Sequence, residues 1–532
     1  MNCLPNPAMT HPVFIALCLL LSVHCLPVTA QTLDAGEVTT IVNQAATAAA
    51  ALNPPQDALI SVVDREGNVL VVWDTIPGTV PTPEEVGDVI SRAGVACFLN
   101  SNQNALTSRT AGFIVQANFP PGFTNRINGP LIGVNFSHFS WSDINRFRAP
   151  PFPAVPANPA VSPALGAAIP NTSLSGTPGG VPLYENGVLV GGVAVIGDNN
   201  DEVTPGSIAS ADTDESLALA GQIGFEPPVA IRAFRIFFDG ISLPYVKSSV
   251  PSLGAVGPVG APAVGFGFPI TASPLPAGYP NVPIYPTDTF SGVTGELRAP
   301  IIDAANPGGL TSPLTAGDVR NIMTACVARA NITRSRIRIP RGSAAAVYVA
   351  VVAKQTSDPA QAGQNTPGQV LGIFRMPDTV SRSWDISVQK ARTCTFFSNS
   401  DSAFTTRAVG WLSQEFYPPG INNPITPSGP WFAIQPGISN INSLVPVNAN
   451  FPNGITIFAG GHPLYKDGQC VGAVGISGDG IDEDDIIAAA GTVAPRADGQ
   501  GTFAAPDGIR ADKFTFRGAR LPYAKFPRNP VR

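Results

Sequence analysis

The sequence predicts an α+β fold in which one module is used twice, and three observations carry that reading. Short segments recur in the same order in the two halves, each half opens on an amphipathic helix, and each half carries a tight β-hairpin late in its course. Leu33-Asp34-Ala35-Gly36-Glu37-Val38 returns as Leu314-Thr315-Ala316-Gly317-Asp318-Val319, and Ala105-Leu106-Thr107-Ser108-Arg109 returns as Ala403-Phe404-Thr405-Thr406-Arg407. Gly179-Gly180-Val181-Pro182-Leu183-Tyr184 returns as Gly460-Gly461-His462-Pro463-Leu464-Tyr465, and Leu243-Pro244-Tyr245 as Leu521-Pro522-Tyr523. The shared segments are the scaffold, and the differences in spacing between them fall in loops.

Each opening helix has its start written in the sequence. Asp34 with Glu37, and Thr315 with Asp318, set a capping side chain three residues before a carboxylate that suits the positive helix end. Val38, Ile41, Val42, Ala45, Ala49 and Leu52 keep one face apolar. Strands follow at Ala58 to Val63 and Asn68 to Trp73, and in the second half at Ala344 to Ala353 and Gln369 to Arg375. A second helix is capped by Thr82, Pro83 and Glu85 in the first half, with a less regular partner in the second. The late hairpins turn at Asn186-Gly187 and Asp467-Gly468, residues that tolerate the positive φ of tight turns. A last helix follows each hairpin, around Ser216 to Ala220 and after Asp482 to Asp485. The modules thus span residues 31–247 and 314–532. Between them, 248–313 reads as a Pro/Gly-rich strap unable to form a helix or a central strand, and 148–170 as a Pro-rich insertion.

Composition narrows function. Of 532 residues, 44% are hydrophobic and 13% charged, enough apolar content for sizeable cores, and the net charge of −6 lacks the basic footprint of a nucleic-acid binder. Residues 1–30 read as a signal peptide: an apolar stretch from Val13 to Val23, then Val28-Thr29-Ala30 before Gln31, although no Lys or Arg precedes the apolar stretch. The expected location is periplasmic or extracellular, with no later run long enough to span a bilayer. Cys97, Cys326, Cys394 and Cys470 lack zinc-site spacing. Cys326 reads either as a buried thiol or, given export, as half of a disulfide with Cys394.

Several motifs resemble the GlcG/HbpS-like haem-binding family, also called the haem-degrading domain family. They are Val62-Val63-Asp64 with Gly67, Lys390-Ala391-Arg392-Thr393, the Gly-Gly-x-Pro-Leu segments, and Val471-Gly472-Ala473-Val474-Gly475-Ile476-Ser477-Gly478 followed by Asp482 to Asp485. The resemblance covers about two thirds of each half and is stronger in the second. It implies a profilin-like module, an antiparallel sheet of about five strands flanked by helices, and self-association through paired modules. It also implies a haem or related tetrapyrrole ligand, for haem or iron handling or redox use.

Haem needs an apolar slot, cations for its propionates and usually an axial donor. On these grounds His462, His138, Arg407, Arg109, Tyr465 and Tyr184 are the candidate contacts. The other reading of the arginines is a helix-end salt bridge or an inter-module contact, and of the tyrosines a core edge. Asp479, Asp482, Glu483 and Asp485 are candidate ligands for surface iron or another metal, or else simply carboxylates at a helix start; their spacing is not that of an EF-hand. Gly191-Gly192 and Gly472 mark close approach of backbone or ligand. No hydrolase elbow, phosphate loop or paired-histidine metal motif occurs in the mature chain, so a binding protein is expected over an enzyme. Two rival functions stand beside it: a structural or assembly subunit acting through its modules and strap, and iron-assisted haem degradation.

Overall fold

The computed structural model describes residues 32–132, 175–251, 285–354, 368–432 and 455–532, apart from residues 68, 77–80, 117, 124–125, 127, 202, 306–308, 420–425 and 526–529. The signal-peptide reading, His138, the 148–170 insertion and most of the strap lie outside the described residues. In the first half the elements run α1 (Ala35–Ala51), β1 (Leu59–Asp64), β2 (Val69–Asp74), α2 (Pro83–Phe98), α3 (Ser108–Ile114), β3 (Gly180–Glu185), β4 (Val188–Ile196), α4 (Pro205–Ala209) and α5 (Thr213–Gly221), ending in the short strands β5 (Phe237–Phe238) and β6 (Ile241–Ser242). The second half follows with β7 (Thr287–Phe290), β8 (Val293–Ala299), α6 (Ala316–Ile332), β9 (Tyr348–Ala353), β10 (Val370–Arg375), α7 (Ser383–Phe397), α8 (Thr406–Leu412), β11 (Gly461–Lys466), β12 (Gln469–Ser477) and α9 (Ile481–Thr492), then β13 (Thr515–Phe516) and β14 (Ala519–Arg520).

Both halves build the same antiparallel sheet. The order is β2-β1-β4-β3 in the first and β10-β9-β12-β11 in the second, so each late hairpin folds back beside the first strand of its module. The capping boxes are in place. Asp34 Oδ1 accepts from Glu37 N at 2.9 Å while Glu37 Oε2 accepts from Asp34 N at 2.7 Å, and Thr315 with Asp318 repeats the exchange. Asn186 and Gly187, at φ of 50° and 80°, and Asp467 and Gly468, at 51° and 79°, make the two hairpin turns.

Every strand of the shared core is covered on both faces, which is why its residues are apolar without alternation. Leu59, Val63 and Val72 face Val86, Val89, Ile90 and Ala93 of α2, while Ile60, Val62 and Val71 face Val38, Ile41 and Ala45 of α1 with Leu217 of α5. In the second module Val349, Val351 and Leu371 meet α6 and α9, and Tyr348, Ala350, Val352 and Ile373 meet α7. Among the described residues no helix is long and apolar enough to cross a membrane.

Two expectations need correction, and one open alternative is decided. Among the described residues the first sheet has four strands, where about five were expected, and the second reaches six because β8 pairs with β10 and β7 with β8. Those two strands come from the strap, so β8 is the interior strand that its composition argued against. The reason is local: Thr287 to Ala299 contains no proline, Val293 and Leu297 pack on the α6 side of the sheet, and Ala299, past an irregularity in the pairing with β10, on the α7 side. Of the two readings of Cys326 the buried thiol holds, since Cys97, Cys326, Cys394 and Cys470 are free and buried. Cys326 packs on the α6 side of the second sheet and Cys394 on the α7 side, with the sheet between them.

The modules pack on each other. Ile386 and Phe458 of the second belong to the same apolar cluster as Phe98 and Leu106 of the first, with Ile337 and Ile339 at its margin. Asp378 accepts from Arg65 Nη2 at 2.6 Å and from Asn102 N at 3.0 Å, while Ile339 N donates to Gln103 O at 2.9 Å.

Candidate functional site

Arg109 and Arg407 are the second residues of α3 and α8, each two positions after a threonine that caps the helix. Arg109 is fully buried. Its Nε and Nη2 donate to Glu215 at 2.6 and 2.9 Å, and its Nη1 to the carbonyls of Ser207 and Ile208. Arg407 donates from Nε to Asp485 Oδ2 at 2.6 Å and from Nη2 to Asp482 Oδ1 at 2.5 Å. Both guanidiniums therefore hold the last helix of their module, as the salt-bridge reading had it.

His462 occupies the strand position that Val181 has in the first module. It is 1% exposed, and its Nε2 lies 3.0 Å from Asp485 Oδ1. Burial opposes ionisation of Asp485, but the His462 hydrogen bond and the Arg407 charge hold its carboxyl below the usual range. The pairing puts an N–H on Nε2, and Nδ1, which carries the lone pair in a neutral imidazole, is buried and has no partner. The imidazole meets the Tyr523 ring edge-on, with centres 5.5 Å apart.

Tyr523 also borders a cleft of about 320 Å³ lined by Trp411, Arg510, Asp512, Arg520, Leu521, Pro522 and Ala524. The Arg510 guanidinium lies 4.7 Å from the Tyr523 ring centre, and Asp512 accepts from both Arg510 and Arg520. Among the described residues no hydrogen bond holds Tyr523 Oη. In the first module Tyr245 takes the same place, and Gln222 Nε2 lies 3.4 Å from its hydroxyl. The corresponding Thr492 turns back to the Ala489 carbonyl. The repeated Leu-Pro-Tyr segment marked this neighbourhood in the sequence; Trp411, Arg510 and Arg520 carried no signal of their own.

Tyr184 and Tyr465 are buried, with hydroxyls donated to the carbonyls of Ser101 and Asn104 and of Asn399 and Ser402. They tie each late hairpin to the loop after α2 or α7. The acidic run is distributed among cations. Asp479 accepts from Arg338 and from Ala346 N, Asp482 pairs with Arg407 and Lys525, Asp484 Oδ2 lies 2.8 Å from Lys390 Nζ, and Glu483 is buried with its carboxyl raised by desolvation. Desolvation lifts Asp484 to about 7 and lowers Lys390. Asp214 and Arg92 hold the same positions in the first module. Among the described residues the carboxylates with ligand atoms close enough for one metal are Asp198, Asp212 and Asp214 of the first module, not the expected group of the second. The strand glycines admit backbone: a Cβ on Gly191 or Gly472 would meet the Val63 or Val352 carbonyl at 2.2 Å.

The second module thus holds the residue types that a tetrapyrrole uses, in two places: the cleft has an apolar wall and two guanidiniums paired with Asp512, and behind Tyr523, outside the cleft lining, stands an orphaned imidazole nitrogen backed by a carboxylate. The donor set fits such a group.

Residues 344–492 match the family model described as haem degrading protein HbpS-like. No curated protein matches. Among solved structures the chain is similar to protein ORFY of Klebsiella pneumoniae, of the DUF336 family, at 21% identity and a TM-score of 0.22, covering 35% of this chain and 94% of that one. A PduOC:heme complex is similar at 20% identity and a TM-score of 0.21, covering 34% and 93%. A double mutant of Streptomyces reticuli HbpS is similar at 19% identity and a TM-score of 0.21, covering 36% and 94%.

Proposed function

From the premise that residues 344–492 form an HbpS-like domain, we propose that this protein is an exported tandem of two such modules that binds haem or a related tetrapyrrole in the second. The observation that carries the reading is His462 Nδ1, buried and unpartnered, at a position where the first module has Val181. Asp485 fixes the imidazole tautomer so that Nδ1 presents its lone pair. His462 lies behind the Tyr523 ring, outside the cleft lining, so Tyr523 would have to move for a ligand in the cleft to reach Nδ1. Trp411, Leu521 and Pro522 would form the wall, and Arg510 and Arg520, both paired with Asp512, would turn to the ligand's carboxylates as charge-assisted donors. Bound haem supplies an iron centre that accepts such a donor and exchanges electrons.

Titration of the full chain with hemin is expected to give a saturable, shifted Soret band. His462→Ala should bind with an altered band, and Arg510→Ala about tenfold more weakly, the loss of one charge-assisted contact. A spectrum equal to free hemin plus inert protein defeats the proposal. The export component is read separately, by N-terminal sequencing of protein recovered from outside the cytoplasm, where the first residue should be Gln31.

A further inference from the structure

Glu66 is at the tip of the β1–β2 hairpin of the first module, yet its carboxylate ends inside the second. Oε1 accepts from Arg375 Nη1 at 2.6 Å and Arg298 Nη2 at 3.3 Å, and Oε2 from Arg298 Nη1 at 3.1 Å. The two guanidiniums lie on aromatic faces: Arg298 is 3.9 Å from the Tyr285 ring centre and 4.8 Å from that of Trp384, and Arg375 is 5.6 Å from that of Tyr348. Although desolvation opposes it, the Arg298 and Arg375 charges hold the Glu66 carboxyl well below the usual range.

The nest holds more donors than Glu66 satisfies. Arg375 Nε, Tyr348 Oη and Trp384 Nε1 are buried with no acceptor, and orphaned buried donors are costly unless an acceptor visits them. Glu296 neutralises Arg298 from the open side, 2.7 Å from its Nε. The Glu66 side chain keeps 21% of its surface exposed, so the nest is reached from solvent along it. Stacked guanidiniums presented as a fork are the geometry that recognises a carboxylate.

We propose that this nest is a carboxylate receptor of the second module, occupied from within the same chain by Glu66, and that a small alkyl carboxylate takes the same seat when Glu66 is withdrawn. The modules are then latched by an internal ligand, with β8 of the strap contributing Arg298 to the receptor.

The test is thermal unfolding of the full chain in sodium acetate and in sodium chloride at matched ionic strength. Glu66→Ala should lower Tm by about 5–10 °C, the loss of one partner of a buried ion pair. Acetate should then raise Tm saturably where chloride does not, while the wild type responds to both salts alike. Glu66→Asp, which keeps the charge but withdraws it by one methylene, should lose less and regain less; it carries the test if the alanine variant does not fold. Equal responses to acetate and chloride in the variants, or a Glu66→Ala protein as stable as the wild type, overturn the proposal.

Discussion

At the start of α5 the first module sets Glu215 against Arg109, with Val181 on strand β3; at the start of α9 the second sets the shorter Asp485 against Arg407, with His462 on the matching strand. The methylene removed from the carboxylate and the ring added on the strand are complementary changes, and the scaffold around them is unaltered. A similar exchange occurs where helix meets sheet. Gly192 brings its strand under the Ala93 carbonyl of α2, while Gly475 does so under the Ser387 carbonyl of α7, with Ala473 and Ala194 at the positions they trade. The comparison teaches that two halves with the same sheet order differ by paired substitutions inside a fixed sheet, and that the pair whose polarity changed marks where the halves differ in chemistry.

The sharpest way to break this comparison is at Asp485. Asp485→Ala leaves Arg407 without one carboxylate and His462 without any acceptor, and about 3–5 kcal/mol should be lost in urea unfolding. Installing the first module's residues tests the complementarity directly. Asp485→Glu and His462→Val should each destabilise, while the double variant should lose at least about 1 kcal/mol less than the sum; strict additivity would show that the two sites diverged independently. Next in size, Gly475→Ala should cost about 1–3 kcal/mol, because its Cβ would lie 1.9 Å from the Ser387 carbonyl oxygen.

The smallest effect is one of pH. Desolvation and the neighbouring Glu185 raise Glu37 from 4.5 to about 7, whereas at the equivalent place in the second module Lys466 Nζ lies 2.6 Å from Asp318. The folded state favours the neutral acid, so stability present below about pH 4.5 should decline as pH rises through about 7. Glu185→Lys copies the second module's pair and should abolish that decline, an effect below about 1 kcal/mol at so exposed a site. Urea titrations across this range check it, and an unchanged slope would remove Glu185 as the cause.

Much of the scaffold was legible because its signals are local. The capping residues Asp34, Glu37, Thr315 and Asp318, and the turns at Asn186-Gly187 and Asp467-Gly468, act within a few residues of themselves. What could not be read depends on distance. The partners of Arg109 and Arg407 lie on a helix whose spacing differs between the copies, because α4 is inserted in the first, so the Glu215–Asp485 equivalence is hidden from self-comparison. The four cysteines gave no hint of which face of the sheet each would take. The strap was judged by its average composition, which masked one proline-free stretch. The cleft is assembled from Trp411 on α8 and a C-terminal run beyond α9, and only folding brings these together.

That proline-free stretch has a practical corollary for anyone dividing the gene. A fragment begun at Leu314, where the repeat itself starts, would discard β8 and leave β10 with a bare row of amide and carbonyl groups, an invitation to sheet-to-sheet clumping. Begun at Tyr285, the same half carries its own edge protection, and although either piece uncovers Ile386 and Phe458, the longer one is expected to run with less aggregate in sizing chromatography.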